Sequence, residues 1–345
     1  MRLGIIGRAG AGKTTLFNTL TGSDLPVGIP GPVQAHSAAV DIPDPRLQAL
    51  RDLYQPKKTT HAKAAFSDLG GLGGAADLPG PLLDQLAQVE ALLLVLKGFE
   101  DPQAPGKPDP QADLAALESE FLLRDLVRVE NRQAKLVEER QKGARERGAI
   151  EREAGLLQRL AESLNQARPL RDLALTHEEE RSLGGLGLLS RKPLLAVVNC
   201  GDDRPEWQLE TQLPQLSVRG KLEMEIGQLP PEERQQFSQD YGIAEAALVR
   251  TLHLAQAVLK RITFFTVSQP EVRAWLLPTG GTALQAAGLI HTDLARGFIR
   301  AEIIPWQELV ELGDLAAARA QGRLRVEGKD HPLADGDVIY VRFHV

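Results

Sequence analysis

Gly7-Arg8-Ala9-Gly10-Ala11-Gly12-Lys13-Thr14 decides the reading of this chain. It fits G-x-x-x-x-G-K-[ST], the phosphate-binding P-loop. Glycines let backbone N–H groups close around a β-phosphate. Lys13 is placed to reach the β- and γ-phosphates, and Thr14 to offer its hydroxyl to Mg²⁺. Gly7 to Thr14, with Thr15, form the expected phosphate-binding set. Met1 to Ile6 reads as a short buried strand, and Thr15 to Leu20 as the start of a helix. Strand, glycine loop and helix together are the setting the chemistry needs.

Working outward, 345 residues suggest two or three domains. Hydrophobic residues make up 43% and charged residues 25%, as in a globular chain. Aromatics are only 4%, so the core rests on Leu, Ala, Val and Ile. A formal net charge of −6 excludes a globally basic nucleic-acid binder but not a local basic patch. Cys200 is the one cysteine, so no internal disulfide forms and a reducing compartment is expected. The strand and P-loop occupy the N-terminus, where a signal peptide would lie. The most apolar run, Val89 to Leu96, is too short to span a membrane. A cytoplasmic location with no membrane partner is the expectation.

Strands are expected at 38–42, 64–68 and 91–96, with a helix at 81–89. Strands alternating with helices predict a parallel sheet covered on both faces. The texture changes at Pro102, where four prolines lie within 102–110. Helical spacing then runs through Leu114, Leu117, Phe121, Val129 and Leu136, and again through Leu156, Leu157, Leu160 and Leu164. A glycine-containing turn between them predicts an antiparallel hairpin. Its tip holds Arg140, Lys142, Arg145 and Arg147, a candidate RNA contact or a solvated helix end. Pro193 to Asn199 resumes the buried-strand pattern, which makes the hairpin an insertion. From Ile262 onward, strands at 262–267, 298–304 and 338–345 and a helix at 282–289 predict a small α+β unit. The division expected is therefore a P-loop α/β domain over 1–110 and 185–261, a helical hairpin over 111–184, and an α+β domain over 262–345.

Two further motifs follow. Asp68-Leu69-Gly70-Gly71 gives D-x-x-G at a strand end. Asp68 is a candidate for the Mg²⁺ shell, and the Gly71 N–H for sensing a γ-phosphate. Asn199-Cys200-Gly201-Asp202-Asp203 stands where a GTPase strand delivers N-K-x-D, but without the Lys. Asn199, Cys200 and Asp202 are the candidate base-binding residues; a polar turn ending the strand is the other reading.

These motifs resemble the YchF/Obg-like ATPases. The resemblance rests on the P-loop with Thr15-Leu16-Phe17-Asn18, on Pro43-Asp44-Pro45-Arg46-Leu47, and on Phe99-Glu100-Asp101. It continues through Glu271-Val272-Arg273-Ala274-Trp275, Gln285 to Asp293, Gly297 to Glu302, Glu327 to Asp330 and Asp335 to Val338. It implies a G domain, an inserted coiled coil and a C-terminal β-grasp domain of TGS type. It also implies Mg-ATP binding, slow hydrolysis, and a ribosome or RNA partner reached through the hairpin tip and the TGS-like domain. Several positions depart from the family. Gly10 replaces an Asn tied to potassium-assisted hydrolysis, so potassium activation is not expected. Asp202 replaces a Glu of N-x-x-E, which leaves ATP and GTP both open. The switch I Thr and Pro-Asn positions fall at Pro32, Ala35 and His36. The stretch 101–109 contains no His, where the family places a candidate catalytic one; Leu72 after D-x-x-G is apolar as the family has it, so no Gln orients water. The readings carried forward are a weak ATPase or GTPase and, as the alternative, a non-hydrolysing nucleotide sensor or scaffold.

Overall fold

A computed structural model describes residues 1–27, 36–71, 88–101, 107–142, 146–203 and 206–344. The first half runs β1 (Arg2–Gly7), α1 (Lys13–Thr21), β2 (His36–Asp41), α2 (Pro45–Tyr54), β3 (Lys58–Thr60), β4 (Lys63–Gly71) and β5 (Ala91–Gly98). The hairpin follows as α3 (Pro110–Lys142) and α4 (Arg147–Asn165), then α5 (His177–Leu183). Next come β6 (Leu194–Cys200), β7 (Gln215–Val218), α6 (Gly220–Gln228), α7 (Pro231–Asp240) and α8 (Ala247–Val258). The last stretch holds β8 (Arg261–Val267), β9 (Glu271–Pro278), α9 (Ala283–Ile290), α10 (Thr292–Arg296), β10 (Phe298–Pro305), α11 (Trp306–Leu312), α12 (Leu315–Ala320), β11 (Arg325–Glu327) and β12 (Asp337–Phe343).

The first sheet has the order β2-β4-β1-β5-β6-β7. Its central pairs, β4 with β1, β1 with β5, β5 with β6 and β6 with β7, are all parallel. β5 and β6 are apolar almost without interruption because both faces are covered. Parallel strands end their carboxyl edges together, so Gly7, Gly71, Gly98 and Cys200 fall along one edge. That edge is where an open α/β sheet binds ligands. The helix expected at 81–89 and the loop at 102–106 lie mainly outside the described residues.

The hairpin forms its own core from Val129, Leu136, Ile150, Leu157 and Leu160. One buried polar group fastens it. Asp125 of α3 is fully buried and accepts from the Leu189 N–H at 2.8 Å, the Ser190 N–H at 2.7 Å and the Ser190 hydroxyl at 2.6 Å. The chain leading into β6 is thereby tied to the helix that left the sheet.

The chain divides into two compact units, Arg2–Ala38 with Ala65–Thr251, and Met1 and Ala39–Ala64 with Leu252–Val345. The sequence reading assigned 39–64 to the P-loop domain; its contacts group it with the C-terminal unit. Two bonds explain this. β3 pairs in parallel with β9, from Lys58 opposite Glu271 to Thr60 opposite Arg273. Arg46, held by Asp44 at 2.8 Å, reaches Asp335 at 2.5 Å and lies 5.4 Å from the centre of the Phe265 ring. Three polar residues, Lys58-Thr59-Thr60, carry no strand periodicity, so their sequence does not mark β3. The second sheet has the order β11-β10-β12-β8-β9-β3. β8 and β9 form an antiparallel hairpin, and β12 runs parallel to β8. α9 begins at a capping box between Thr282 and Gln285 and packs Ala283, Ala286 and Ala287 against Phe264, Ile303 and Ile339. A mixed sheet with a helix across one face is the β-grasp arrangement.

Asp125→Ala leaves two buried N–H groups without an acceptor. Urea unfolding is expected to show a loss of about 3 kcal/mol.

Candidate functional site

The glycine loop joins β1 to α1 at the carboxyl edge of the first sheet. Each glycine has a separate reason. A Cβ at Gly7 would lie 2.4 Å from the Val95 carbonyl oxygen. Gly10 and Gly12 hold φ of 75° and 84°, where side chains are strained. Gly12 stands at the start of α1, and no side chain caps that end. The first N–H groups of the helix are left for an anion.

The Lys13 ammonium donates to the Arg8 carbonyl at 2.9 Å, which folds it back over the loop. Burial pushes the ammonium below the usual lysine value, and the nearby Asp68 charge only partly opposes this. The Thr14 hydroxyl donates to Asp68 Oδ2 at 3.0 Å. Asp68 is 5% exposed and sits on β4, the strand beside β1. The expected metal-side pair is therefore assembled from residues 54 positions apart. Arg8 itself turns away and pairs with Asp113, in the first turn of α3, at 3.0 Å.

Asn199, the first residue of the base-side motif, also ties the loop in place. It is 4% exposed at the end of β6. Its Nδ2 donates to the Ala11 carbonyl at 3.1 Å, and its Oδ1 accepts from the Gly220 N–H at 3.2 Å. A Cβ on Gly12 would lie 2.0 Å from Nδ2, and one on Gly220 would lie 2.6 Å from Oδ1. The amide is thus a brace wedged between the P-loop and the start of α6. The Thr19 hydroxyl adds to the same joint by donating to the Gly220 carbonyl at 2.8 Å.

A cavity of about 780 Å³ opens over this loop. Gly10, Gly12, Lys13, Thr14 and Thr15 line one end of the group, and Asn199, Cys200 and Asp202 the β6 side. Cys200 is buried and Asp202 exposed. Sequence reasoning missed Lys221 and Met224 of α6, which also line it. Their only signal was a glycine, Gly220, opening a helix behind an unrecognised strand, β7. Phe99 lines the cavity too, with the Lys97 ammonium 5.3 Å from its ring centre.

Other expected positions fall elsewhere. Gly71 closes β4 opposite Gly7, and His36 opens β2. Pro32, Ala35, Leu72 and Arg145 lie outside the described residues. At the hairpin tip, Lys142 pairs with Glu138 at 3.4 Å and Arg147 with Glu151 at 3.1 Å, each one turn away. Arg140 is exposed. Among the described residues, no group of three or more His, Cys, Asp and Glu could hold a metal ion by itself.

Residues 261–344 match the family model YchF-GTPase_C, described as a protein of unknown function (DUF933). The Ribosome-binding ATPase YchF of Bacillus subtilis (strain 168) is 34% identical, over 99% of this chain and 99% of its own length. The protein of that name from Escherichia coli O157:H7 is 32% identical over 100% and 99%. The solved structure of the Schizosaccharomyces pombe YchF GTPase superposes with a TM-score of 0.83 at 25% identity, covering 99% of this chain and 97% of the other.

Asn199→Asp keeps the shape but sets an oxygen against the Ala11 carbonyl. The expected loss is about 1–3 kcal/mol by urea unfolding. Asn199→Ala should cost as much, because it leaves the Gly220 N–H without its partner. Unchanged stability in both variants would remove the brace.

Proposed function

Because the chain belongs to the YchF family, we propose that it is a ribosome-associated P-loop nucleotidase that binds Mg-ATP, or Mg-GTP, and hydrolyses it slowly. One observation carries this: a partly buried lysine lies beside a hydroxyl–carboxylate pair at the uncapped start of a helix. Desolvation disfavours the Lys13 ammonium, and a phosphate would restore its charge balance. The α1 N-terminus supplies N–H donors in the same direction.

Thr14 and Asp68 fit Mg²⁺. Both offer hard oxygens, and they already share one hydrogen bond. When bound, Mg²⁺ neutralises charge on the β- and γ-phosphate oxygens. Asp68 then orients the Thr14 hydroxyl, while the Arg8 carbonyl positions Lys13. Asn199 braces the loop through Ala11 and Gly220 and, with a second amide N–H, also lines the cavity beside Asp202 as a base-binding residue. Reading the base also falls to Asp202 and Lys221, with Met224 and Phe99 as apolar walls. Slow turnover follows from the chain's residue choice: Leu72 stands where a Gln would orient water.

The ribosome reading draws on the relatives' names, and a cytoplasmic location goes with it. Among the described residues, no helix is long and apolar enough to cross a membrane. Of the hairpin-tip cations, Lys142 and Arg147 spend charge on their own helix neighbours, so Arg140 is the better contact.

Calorimetry with Mg-ATP, Mg-GTP and their non-hydrolysable analogues, beside a turnover assay, tests the reading. Turnover on the order of 10⁻³ s⁻¹ is expected, with Lys13→Ala abolishing it and weakening binding at least about 100-fold. Tight binding with turnover equal to Lys13→Ala would make the protein a sensor rather than an enzyme. Bound phosphate should also raise the depressed Lys13 value toward normal. Binding at alkaline pH is then expected to take up protons, seen as an enthalpy that varies with the buffer's ionisation heat.

A further inference from the structure

The groups lining the β6 side of the nucleotide cavity differ in what they can donate and accept. Asn199 keeps one amide N–H after its bond to the Ala11 carbonyl. N7 is an acceptor in adenine and in guanine alike, so this donor suits a purine without choosing between the two. Asp202 and Lys221 line the same cavity and are exposed. Among the described residues, neither side chain has a hydrogen-bond or ion-pair partner. The Asn199 joint places both. Asp202 lies just beyond the end of β6, and Lys221 directly follows Gly220, whose N–H Asn199 holds at 3.2 Å.

A carboxylate only accepts hydrogen bonds, and an ammonium only donates them. The Watson–Crick edge of guanine offers two adjacent donors, N1–H and the N2 amino group, and one acceptor, O6. Adenine offers a donor at N6 and a bare acceptor at N1. Against Asp202, guanine makes two parallel N–H bonds to charged oxygens. Adenine makes one and sets its N1 lone pair against negative charge. Against Lys221, the guanine O6 accepts, whereas the adenine amino group meets a second donor. Both side chains therefore discriminate in the same direction.

We propose that the site prefers guanine nucleotides to adenine nucleotides, with Asp202 accepting from N1–H and the N2 amino group, Lys221 donating to O6 and Asn199 donating to N7. The inference rests on the nucleotide-binding reading above and narrows its substrate class. Asp202 and Lys221 are exposed, so water competes for both groups. The preference is accordingly about ten- to a hundred-fold, below the ratios that a sealed polar pocket reaches. Phe99 and Met224 add apolar walls that any base satisfies equally. Discrimination thus comes from the two charged side chains alone.

The test uses the full chain with Mg²⁺ and calorimetric titration of GDP, ADP and xanthosine diphosphate, which hydrolysis of a γ-phosphate does not complicate. GDP is expected to bind about ten- to a hundred-fold tighter than ADP. Asp202→Asn replaces one acceptor oxygen by an amino donor. Xanthine carries an oxygen at C2 where guanine carries the amino group. This variant should therefore lose about ten-fold in GDP affinity and gain about as much for xanthosine diphosphate. A gain of binding cannot come from misfolding. Lys221→Ala should narrow the ratio of GDP to ADP affinity about five-fold. ADP binding as tight as GDP overturns the inference and leaves the nucleotide reading standing. So does an Asp202→Asn variant that binds GDP as the unmodified chain does, or that loses GDP without gaining xanthosine diphosphate. Binding of neither GDP nor ADP by the unmodified chain removes the underlying reading itself.

Discussion

The site depends on one amide. Asn199 ties the P-loop, the end of β6 and the start of α6 into a single joint through Ala11 and Gly220. Two glycines are required because this side chain lies against them. An unpaired buried amide costs as much as a lost hydrogen bond, or more. The joint is therefore made complete or not at all. With it in place, the loop's N–H groups are held ready for an anion at no cost in rearrangement.

A second constraint concerns charge. Burial disfavours the Lys13 ammonium, and the nearby Asp68 charge only partly offsets this. Such a pair is poor at stabilising a fold and well suited to a third, charged participant. On the proposed reading, a nucleotide phosphate would supply the counter-charge that Lys13 lacks. Elsewhere the chain closes its buried charges internally. Asp125 is satisfied by three donors, and Glu302 by two guanidinium groups. The contrast sets the desolvated Lys13 apart from the charges that hold the fold.

Much of the fold was legible in the residues. The P-loop, the buried strands β5 and β6, the helical hairpin and the strands β8, β10 and β12 all announce themselves by periodicity or composition. What was missed is short or polar. β3 has three residues and β7 has four, below the length at which alternation shows. β9 alternates buried and half-buried residues within a chain of mixed character, and only its family motif drew attention to it. At the site, the phosphate end was legible because one contiguous motif builds it. The opposite end was legible only at Asn199, Cys200 and Asp202, because Lys221 and Met224 come from a separate helix behind a four-residue strand.

The sequence by itself determined the chemistry of the phosphate cradle, since backbone conformation and hydrogen-bonding groups there are set by neighbouring residues. It also determined which long stretches are strand or helix, because burial on a covered sheet or hairpin imposes its own period. Only the tertiary structure decided what Asn199 does. The motif offers it to a base, and the fold adds a second task, a bridge between two backbone groups 188 and 21 residues away. Only the tertiary structure assigned residues 39–64 to the C-terminal unit, through β3 on β9 and Arg46 on Asp335. Both outcomes have the same physical reason. A polar group's role is set by the partner that satisfies it, and a partner distant in sequence leaves no local mark.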